Sequence, residues 1–148
     1  GICLAVVQGG LVGPVVQRLG EARTVLLGLT LSICAYVLFG LANQGWIMYL
    51  AIVLSSSGGL VAPSVQGLLS SRVPAEDQGL LQGSLAGLTN LANVIAPPVA
   101  AGLFAFFASR SAPFEFVGAP LFLCALLELA ALLMAIKAFR QRRLETAA

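Results

Sequence analysis

The sequence predicts an all-α membrane protein with about five transmembrane helices. Of its 148 residues, 59% are apolar and only 9% are charged, whereas a soluble domain usually carries about 25% charged residues. A small domain cannot bury this much apolar surface in one core, so most of the surface must face lipid. The apolar residues also form long runs close to the roughly 20 residues that a helix needs to cross a bilayer, and helices satisfy their own backbone hydrogen bonds in lipid.

Charges and turn residues divide the chain into five spans. The first is shortened at its start, because the chain begins at Gly1 inside an apolar run, and we expect further sequence to precede it in the full protein. The second, third and fourth spans contain no charge, and the fourth is long enough to tilt or to kink at Pro97 and Pro98. The fifth contains one charge, Glu128. The predicted spans are approximately residues 1–17, 24–42, 46–71, 79–109 and 116–136, followed by a tail at 137–148.

The basic residues predict the orientation of these helices. Successive linkers alternate between the two sides of the membrane, and seven of the eight Lys and Arg residues fall on one side. Cytoplasmic loops carry the excess of Lys and Arg. We therefore expect a multi-pass protein of the inner (plasma) membrane with a cytoplasmic C-terminus. The seven are Arg18, Arg23, Arg72, Lys137, Arg140, Arg142 and Arg143, and Arg110 lies on the other side.

The composition argues against several functions. The chain has no His, which disfavours imidazole metal sites and Ser-His or Cys-His catalysis. The cysteines Cys3, Cys34 and Cys124 lie inside apolar runs without the CxxC spacing of a redox or zinc motif. The net charge of +2 is too small to indicate nucleic-acid binding. We expect no metal, no cofactor, no nucleic-acid partner and no enzymatic activity.

Several polar residues inside the spans are candidates for lining a cavity. Gln66 is a large amide near the middle of the third span, on a stripe of small and polar residues. In the fourth span, Gln82, Thr89 and Asn93 fall within roughly 40° of one another on a helical wheel at about 100° per residue, with Asn90 just beside them. Unpaired amides are unfavourable in hydrocarbon, so these side chains either bond to neighbouring helices or face a substrate.

Gln8 and Glu128 allow the same two interpretations. Gln8 lies in the first span beside glycines and either lines a cavity or packs. Glu128 is the one ionisable residue at mid-membrane, where a carboxylate costs about 3 kcal/mol on insertion scales. Its functional interpretation is proton coupling or contact with a cation. The alternative is a neutral, hydrogen-bonded glutamic acid at a packing contact.

The first linker carries a family motif. It is similar to the loop signature G-x-x-x-D-R-x-G-x-(K/R) of the major facilitator superfamily in its degenerate second-half copy. Gly13, Arg18 and Gly20 match, Gln17 replaces the Asp, and Arg23 is displaced slightly from the basic position. Further matching pieces occur in order along the chain, and they resemble the tetracycline/proton antiporter and drug-efflux branch. They include Val6 to Gln8, Val25 to Gly28, Gly45-Trp46, Gly58-Gly59, Pro63, Gln66-Gly67, Gln78-Gly79, Leu81 to Gly83, Leu88 to Asn90 and Val94 to Pro97.

This resemblance implies that the spans are helices eight to twelve of a twelve-helix transporter. Its partners would then be a small-molecule substrate, protons, the lipid bilayer and the missing N-terminal half of the same protein. Helices eight, ten and eleven would line the substrate cavity, which makes Gln8, Gln66, Asn90 and Asn93 substrate-binding candidates. Helices nine and twelve usually lie at the periphery, which counts against Glu128 as a substrate contact and leaves it as the proton-coupling candidate.

One position departs from the tetracycline branch. Tetracycline exporters have an Asp embedded in helix nine, and this chain has Ser32 at the corresponding position. Ser32 therefore disfavours tetracycline as the substrate, and only the geometry of the fold can show whether Glu128 compensates for the missing carboxyl.

Three functional hypotheses follow. The first is proton-coupled efflux of a small amphipathic compound such as a drug or antibiotic. The second is transport of a metabolite, such as a sugar or organic acid, by the same superfamily fold. The third is a non-transporting membrane protein that assembles through the overlapping GxxxG repeats at Gly79, Gly83 and Gly87.

Overall fold

A computed structural model describes residues 7–42, 44–108 and 118–147 of the chain. Within these ranges the chain forms helices joined by short connections, and no strand occurs among them. A π-helical turn, Val7–Leu11, leads into the first α-helix, and short 3₁₀ helices occur at Ser56–Leu60 and Ala75–Asp77. The α-helices are α1 (Val12–Leu19), α2 (Glu21–Leu41), α3 (Gly45–Ser55), α4 (Val61–Ser70), α5 (Gln78–Ala108) and α6 (Ala119–Ala147).

Four helical stretches within the described residues are long and apolar enough to cross a membrane. This finding confirms the predicted all-α membrane fold. The first predicted span is described only from Val7 onward, and residues 1–6 lie outside the described part. The last helix continues beyond residue 136 through positions predicted as the tail. The four stretches are Glu21–Leu41, Gly45–Ser70, Ala75–Phe107 and Ala119–Gln141.

Helix α2 organises the described part of the bundle. It contacts α1, α3, α4, α6 and the 3₁₀ segment Ser56–Leu60. Its buried residues recur at the spacing of one helical face. Most of them are small or β-branched, which allows neighbouring backbones to approach closely, as membrane helices require when lipid gives no hydrophobic drive for association. The buried residues are Thr24, Val25, Gly28, Leu29, Ser32 and Ala35.

Gly28 marks the tightest approach on this face. A Cβ atom at this position would lie 2.7 Å from Cγ2 of Val61 and 3.3 Å from the carbonyl oxygen of Ser57. Toward the other end of α2, Gly118 stands against the backbone of Gly40, where an added Cβ would lie 2.8 Å from the Gly40 carbonyl oxygen. Close packing against neighbouring backbone and side chains therefore leaves no room for a side chain at Gly28 or at Gly118.

The third predicted span is interrupted by the 3₁₀ segment Ser56–Leu60 between α3 and α4. Its sequence explains the interruption, because serine and glycine are weak helix formers. Serine hydroxyls also bond to the preceding turn and bend helices. Ser55 and Ser56 each donate to the carbonyl of Ile52 at 2.9 Å. The segment remains inside the apolar stretch, and Ser56, Ser57 and Leu60 are buried.

Helix α5 is different, because its side chains are exposed or only half-buried along the helix. It remains one helix through Pro97 and Pro98 and contacts α6. The glycines of the GxxxG repeats, Gly79, Gly83 and Gly87, have no atom within 4 Å of the position where a Cβ would stand. No described residue therefore covers this glycine face.

Gly20 connects α1 to α2 in a conformation that favours glycine. Its φ is +79°, in the left-handed region. Its N–H donates to the carbonyl of Val16 at 2.8 Å, and its own carbonyl accepts the N–H and the hydroxyl of Thr24 at 3.1 Å and 2.8 Å. One residue thus ends α1 and begins α2.

We expect Gly20→Ala to destabilise the protein by about 1–2 kcal/mol, because a Cβ is strained at positive φ. The space around Gly20 is open, so the loss would be conformational rather than a clash. The measurement is the thermal unfolding midpoint of the complete protein in detergent.

Gly13→Ala is the matched control. Gly13 lies inside α1 and also has open space around it, so alanine there should leave the midpoint unchanged or raise it. Equal midpoints for the two variants would contradict the role assigned to Gly20.

Candidate functional site

The central polar contact joins α2 and α6 at mid-span. Ser32 lies near the middle of α2 and is only 4% exposed. Its hydroxyl donates to Oε1 of Glu128 at 3.0 Å. Glu128 lies near the middle of the apolar stretch Ala119–Gln141, so the two residues meet at a similar depth although 96 positions separate them in sequence.

The second carboxyl oxygen of Glu128 has no partner in the described part of the chain. Oε2 is buried and forms no hydrogen bond with any described residue. Buried polar atoms are nearly always bonded, and an exception calls for a chemical explanation. Glu128 thus has one bonded and one unbonded carboxyl oxygen at mid-span.

Gly58 adjoins this pair from the 3₁₀ segment. A Cβ atom at Gly58 would lie 3.4 Å from the hydroxyl oxygen of Ser32. Gly58 also lines a separate cavity between α4 and α5. The same glycine therefore borders both the mid-span pair and the cavity.

The cavity between α4 and α5 has a volume of about 520 Å³ and a mixed polar and apolar lining. This volume falls within the range of roughly 300–1,000 Å³ typical of small-molecule pockets. The amide of Gln66 donates to Oε1 of Gln82 at 2.8 Å across it, and Thr89 also lines it. Its walls can therefore offer an amphipathic molecule both apolar contact and hydrogen bonds.

The predicted substrate-binding residues fall in different places. Gln66 lines this cavity. Asn90 and Asn93 are exposed on α5, outside the cavity lining. Their side-chain amides form no hydrogen bond with a described residue. Gln8 lies in the π-helical turn, and its side chain is outside the described residues. The described fold thus brings Gln66 together with Gln82 rather than with the two asparagines.

The predicted loop-motif residues follow the junction between α1 and α2. Gly13 lies inside α1, Arg18 lies in its last turn, and Gly20 is the connecting residue. A cation in the last turn of a helix interacts favourably with the helix dipole. Arg23 lies in the first turn of α2 and lines a cavity at the same end of the bundle.

Sequence reasoning missed two features of the site. It treated Gly58 only as one piece of a family pattern, and it considered Ser32 and Glu128 without a contact between them. The polarity of Ser32 inside an uncharged span was the available signal, but pairing it with Glu128 requires the helix packing. Within the described ranges, no group of three or more His, Cys, Asp or Glu residues gathers as a metal site would require.

A family model and several curated proteins match this chain. The family model described as Major Facilitator Superfamily matches residues 2–147. The chain is 37% identical to the class C tetracycline resistance protein of Escherichia coli, over 74% of this chain and 28% of that protein. It is 40% identical to the class G tetracycline resistance protein of Vibrio anguillarum, over 63% of this chain and 24% of that protein. It is 35% identical to the class D tetracycline resistance protein of Salmonella ordonez, over 72% of this chain and 26% of that protein. No solved structure matches the chain significantly.

We expect Ser32→Ala to destabilise the protein by about 1–3 kcal/mol, because it leaves Glu128 buried without its hydrogen-bond donor. The double variant Ser32→Ala with Glu128→Leu should recover most of that loss, since two apolar groups need no hydrogen bond. The measurement is the thermal unfolding midpoint in detergent of the complete protein, of Ser32→Ala, of Glu128→Leu and of the double variant. These four values form a double-mutant cycle.

Thr30→Ala serves as the control, because the exposed Thr30 hydroxyl bonds only to the carbonyl of Leu26 in its own helix. A midpoint for Ser32→Ala no lower than that for Thr30→Ala would show that the contact with Glu128 contributes nothing to stability.

Proposed function

The chain belongs to the Major Facilitator Superfamily, and on that basis we propose that it is the C-terminal part of a proton-coupled exporter of small amphipathic compounds. The matched segment covers about a quarter of the length of its tetracycline resistance relatives. The activity proposed here is therefore that of the complete protein. The family consists of membrane transporters, which confirms the expectation that the chain is not an enzyme.

The observation that carries the proposal is the hydrogen bond between Ser32 and Glu128, in a chain 33–40% identical to tetracycline resistance proteins of several classes. The resemblance to the tetracycline branch predicts an acidic residue at position 32, where this chain has serine. The carboxyl of Glu128 approaches that position from α6. We propose that Glu128 supplies the proton-binding group of this half of the transporter from the last helix instead of from α2.

The chemistry of the pair supports this role. A neutral carboxyl is less unfavourable in hydrocarbon than a charged one, so the proton is held when the site is sealed and released when water reaches the site. Ser32 bonds to one oxygen, and the unpartnered Oε2 remains available to carry the proton. A change in solvent access at mid-span would thus change the charge of α6.

Substrate would bind in the interior of the complete transporter, where such proteins hold it near mid-membrane between two repeats. Gln66 is the proposed contact on α4, because it lines the 520 Å³ cavity with Gln82. Asn90 and Asn93 remain proposed contacts because they are exposed on α5 toward space that no described residue fills. Gln8 is proposed from its sequence position alone.

Transport of a metabolite is the alternative within the same fold. The described cavity between α4 and α5 has amide side chains but no Lys or Arg in its lining, which disfavours an anionic substrate such as an organic acid. We also propose that the basic end of the bundle and the C-terminus face the cytoplasm of the inner membrane, following the distribution of basic residues.

In everted vesicles that contain the complete protein and have an acidic lumen, adding a substrate from a broad drug panel should drive protons out of the lumen, down the imposed pH gradient. We expect Glu128→Gln to lower that proton movement at least about tenfold, because glutamine keeps the shape and hydrogen bonding of the side chain but cannot bind an exchangeable proton. Fluorescence of a pH-sensitive dye gives the rate.

Glu76→Gln is the control, since Glu76 is exposed in the short 3₁₀ helix before α5. The exchange variant, Ser32→Asp with Glu128→Ser, should regain part of the activity because it restores a carboxyl between the same helices. Proton movement unchanged by Glu128→Gln would leave Glu128 as a packing residue, and no movement with any compound in the panel would argue against drug efflux.

A further inference from the structure

Three arginines from separate segments meet around one cavity at the basic end of the bundle. Arg23 lies in the first turn of α2, Arg72 lies just after α4, and Arg140 lies late in α6. They line a cavity of about 440 Å³ where these three segments come together. The cavity is separate from the mid-span pair and from the cavity between α4 and α5.

No described carboxylate compensates the charge of the three guanidinium groups. Each arginine is exposed, and none forms an ion pair with a described carboxylate. Glu21, at the start of α2, lies against Gly67 of α4 instead and is not part of the lining. Like charges gathered around one cavity repel one another, so an anion bound among them would stabilise the arrangement.

The rest of the lining is apolar. Leu26, Leu68, Ile136 and Phe139 form the wall that continues from the arginines toward the middle of the bundle. A small soluble anion would use the charged rim but gain nothing from this wall. A molecule with an anionic head and a hydrocarbon chain would use both.

The depth of the three arginines fits the same ligand. Arg23 immediately precedes the predicted second span, Arg72 immediately follows the third, and Arg140 lies about one turn beyond the fifth. All three therefore lie at the level of lipid headgroups on one face of the membrane. Basic pockets between helices at this level are suited to anionic headgroups.

We infer that the cavity formed by Arg23, Arg72 and Arg140 binds an anionic phospholipid from the adjacent leaflet. The phosphate lies among the three guanidinium groups, which present planar pairs of donors suited to phosphate oxygens. One acyl chain follows the wall of Leu26, Leu68, Ile136 and Phe139. The bound lipid joins the ends of α2, α4 and α6, so it stabilises the folded bundle by mass action.

The test adds phosphatidylglycerol, phosphatidylcholine or inorganic phosphate to the complete protein in detergent and measures the thermal unfolding midpoint. We expect a saturable rise with phosphatidylglycerol and little or none with the other two. Each of Arg23→Gln, Arg72→Gln and Arg140→Gln should raise the half-saturating lipid concentration roughly fivefold, in line with the contribution of one basic residue near an anionic surface. Native mass spectrometry of the same variants counts the lipids retained and gives a readout that does not depend on stability.

Arg18→Gln is the matched control, because it removes an exposed arginine at the same end of the bundle that does not line the cavity. Phe139→Ala should weaken the binding of phosphatidylglycerol, and it should leave unchanged any shift of the unfolding midpoint caused by inorganic phosphate. The inference is overturned if inorganic phosphate stabilises as well as the lipid, which would indicate a soluble anion. It is equally overturned if Arg18→Gln weakens lipid binding as much as Arg140→Gln does. A third contradicting result is that phosphatidylglycerol neither shifts the unfolding midpoint nor remains bound in native mass spectrometry.

Discussion

The close approach of backbones along α2 determines where the helices that contact it, α1, α3, α4 and α6, lie. Helices in lipid gain no hydrophobic free energy from contacting one another, so their association depends on tight packing and hydrogen bonds. Gly28 admits the side chain of Val61 against the backbone of α2, and Gly40 admits the backbone at Gly118. With a larger residue at either position, α4 or α6 would be displaced, and the interhelical polar contacts would be lost with them.

The contact between Ser32 and Glu128 depends on this closeness. A serine side chain is short, so its hydroxyl reaches a carboxyl on another helix only when the two backbones are near. Because Gly58 has no side chain, the 3₁₀ segment Ser56–Leu60 can lie beside Ser32 without displacing the pair. The other carboxyl oxygen of Glu128 is left without a hydrogen bond from any described residue.

The long apolar runs predicted most of the fold, because the bilayer demands helices of a set length and composition. They did not predict the 3₁₀ interruption at Ser56–Leu60, where local serine hydrogen bonds compete with the helix. For the site, the sequence identified Gln66 and Glu128 individually, since each is polar within an apolar span. It did not identify their partners Gln82 and Ser32, because a pairing across 16 or 96 residues depends on tertiary packing.

The positions of these features separate two kinds of chemistry along the bundle. At mid-span, the carboxyl of Glu128 accepts a hydrogen bond from the hydroxyl of Ser32. At the basic end, three arginines line one cavity, and none of them pairs with a described carboxylate. The segment Ser56–Leu60 lies between the mid-span carboxyl and the cavity lined by Gln66, and Gly58 borders both. The 3₁₀ hydrogen bonds of this segment are geometrically poorer than those of an α-helix. If Glu128 carries the proton, the site it occupies and the cavity proposed for substrate are adjacent but do not overlap, so the two ligands need not compete for the same atoms.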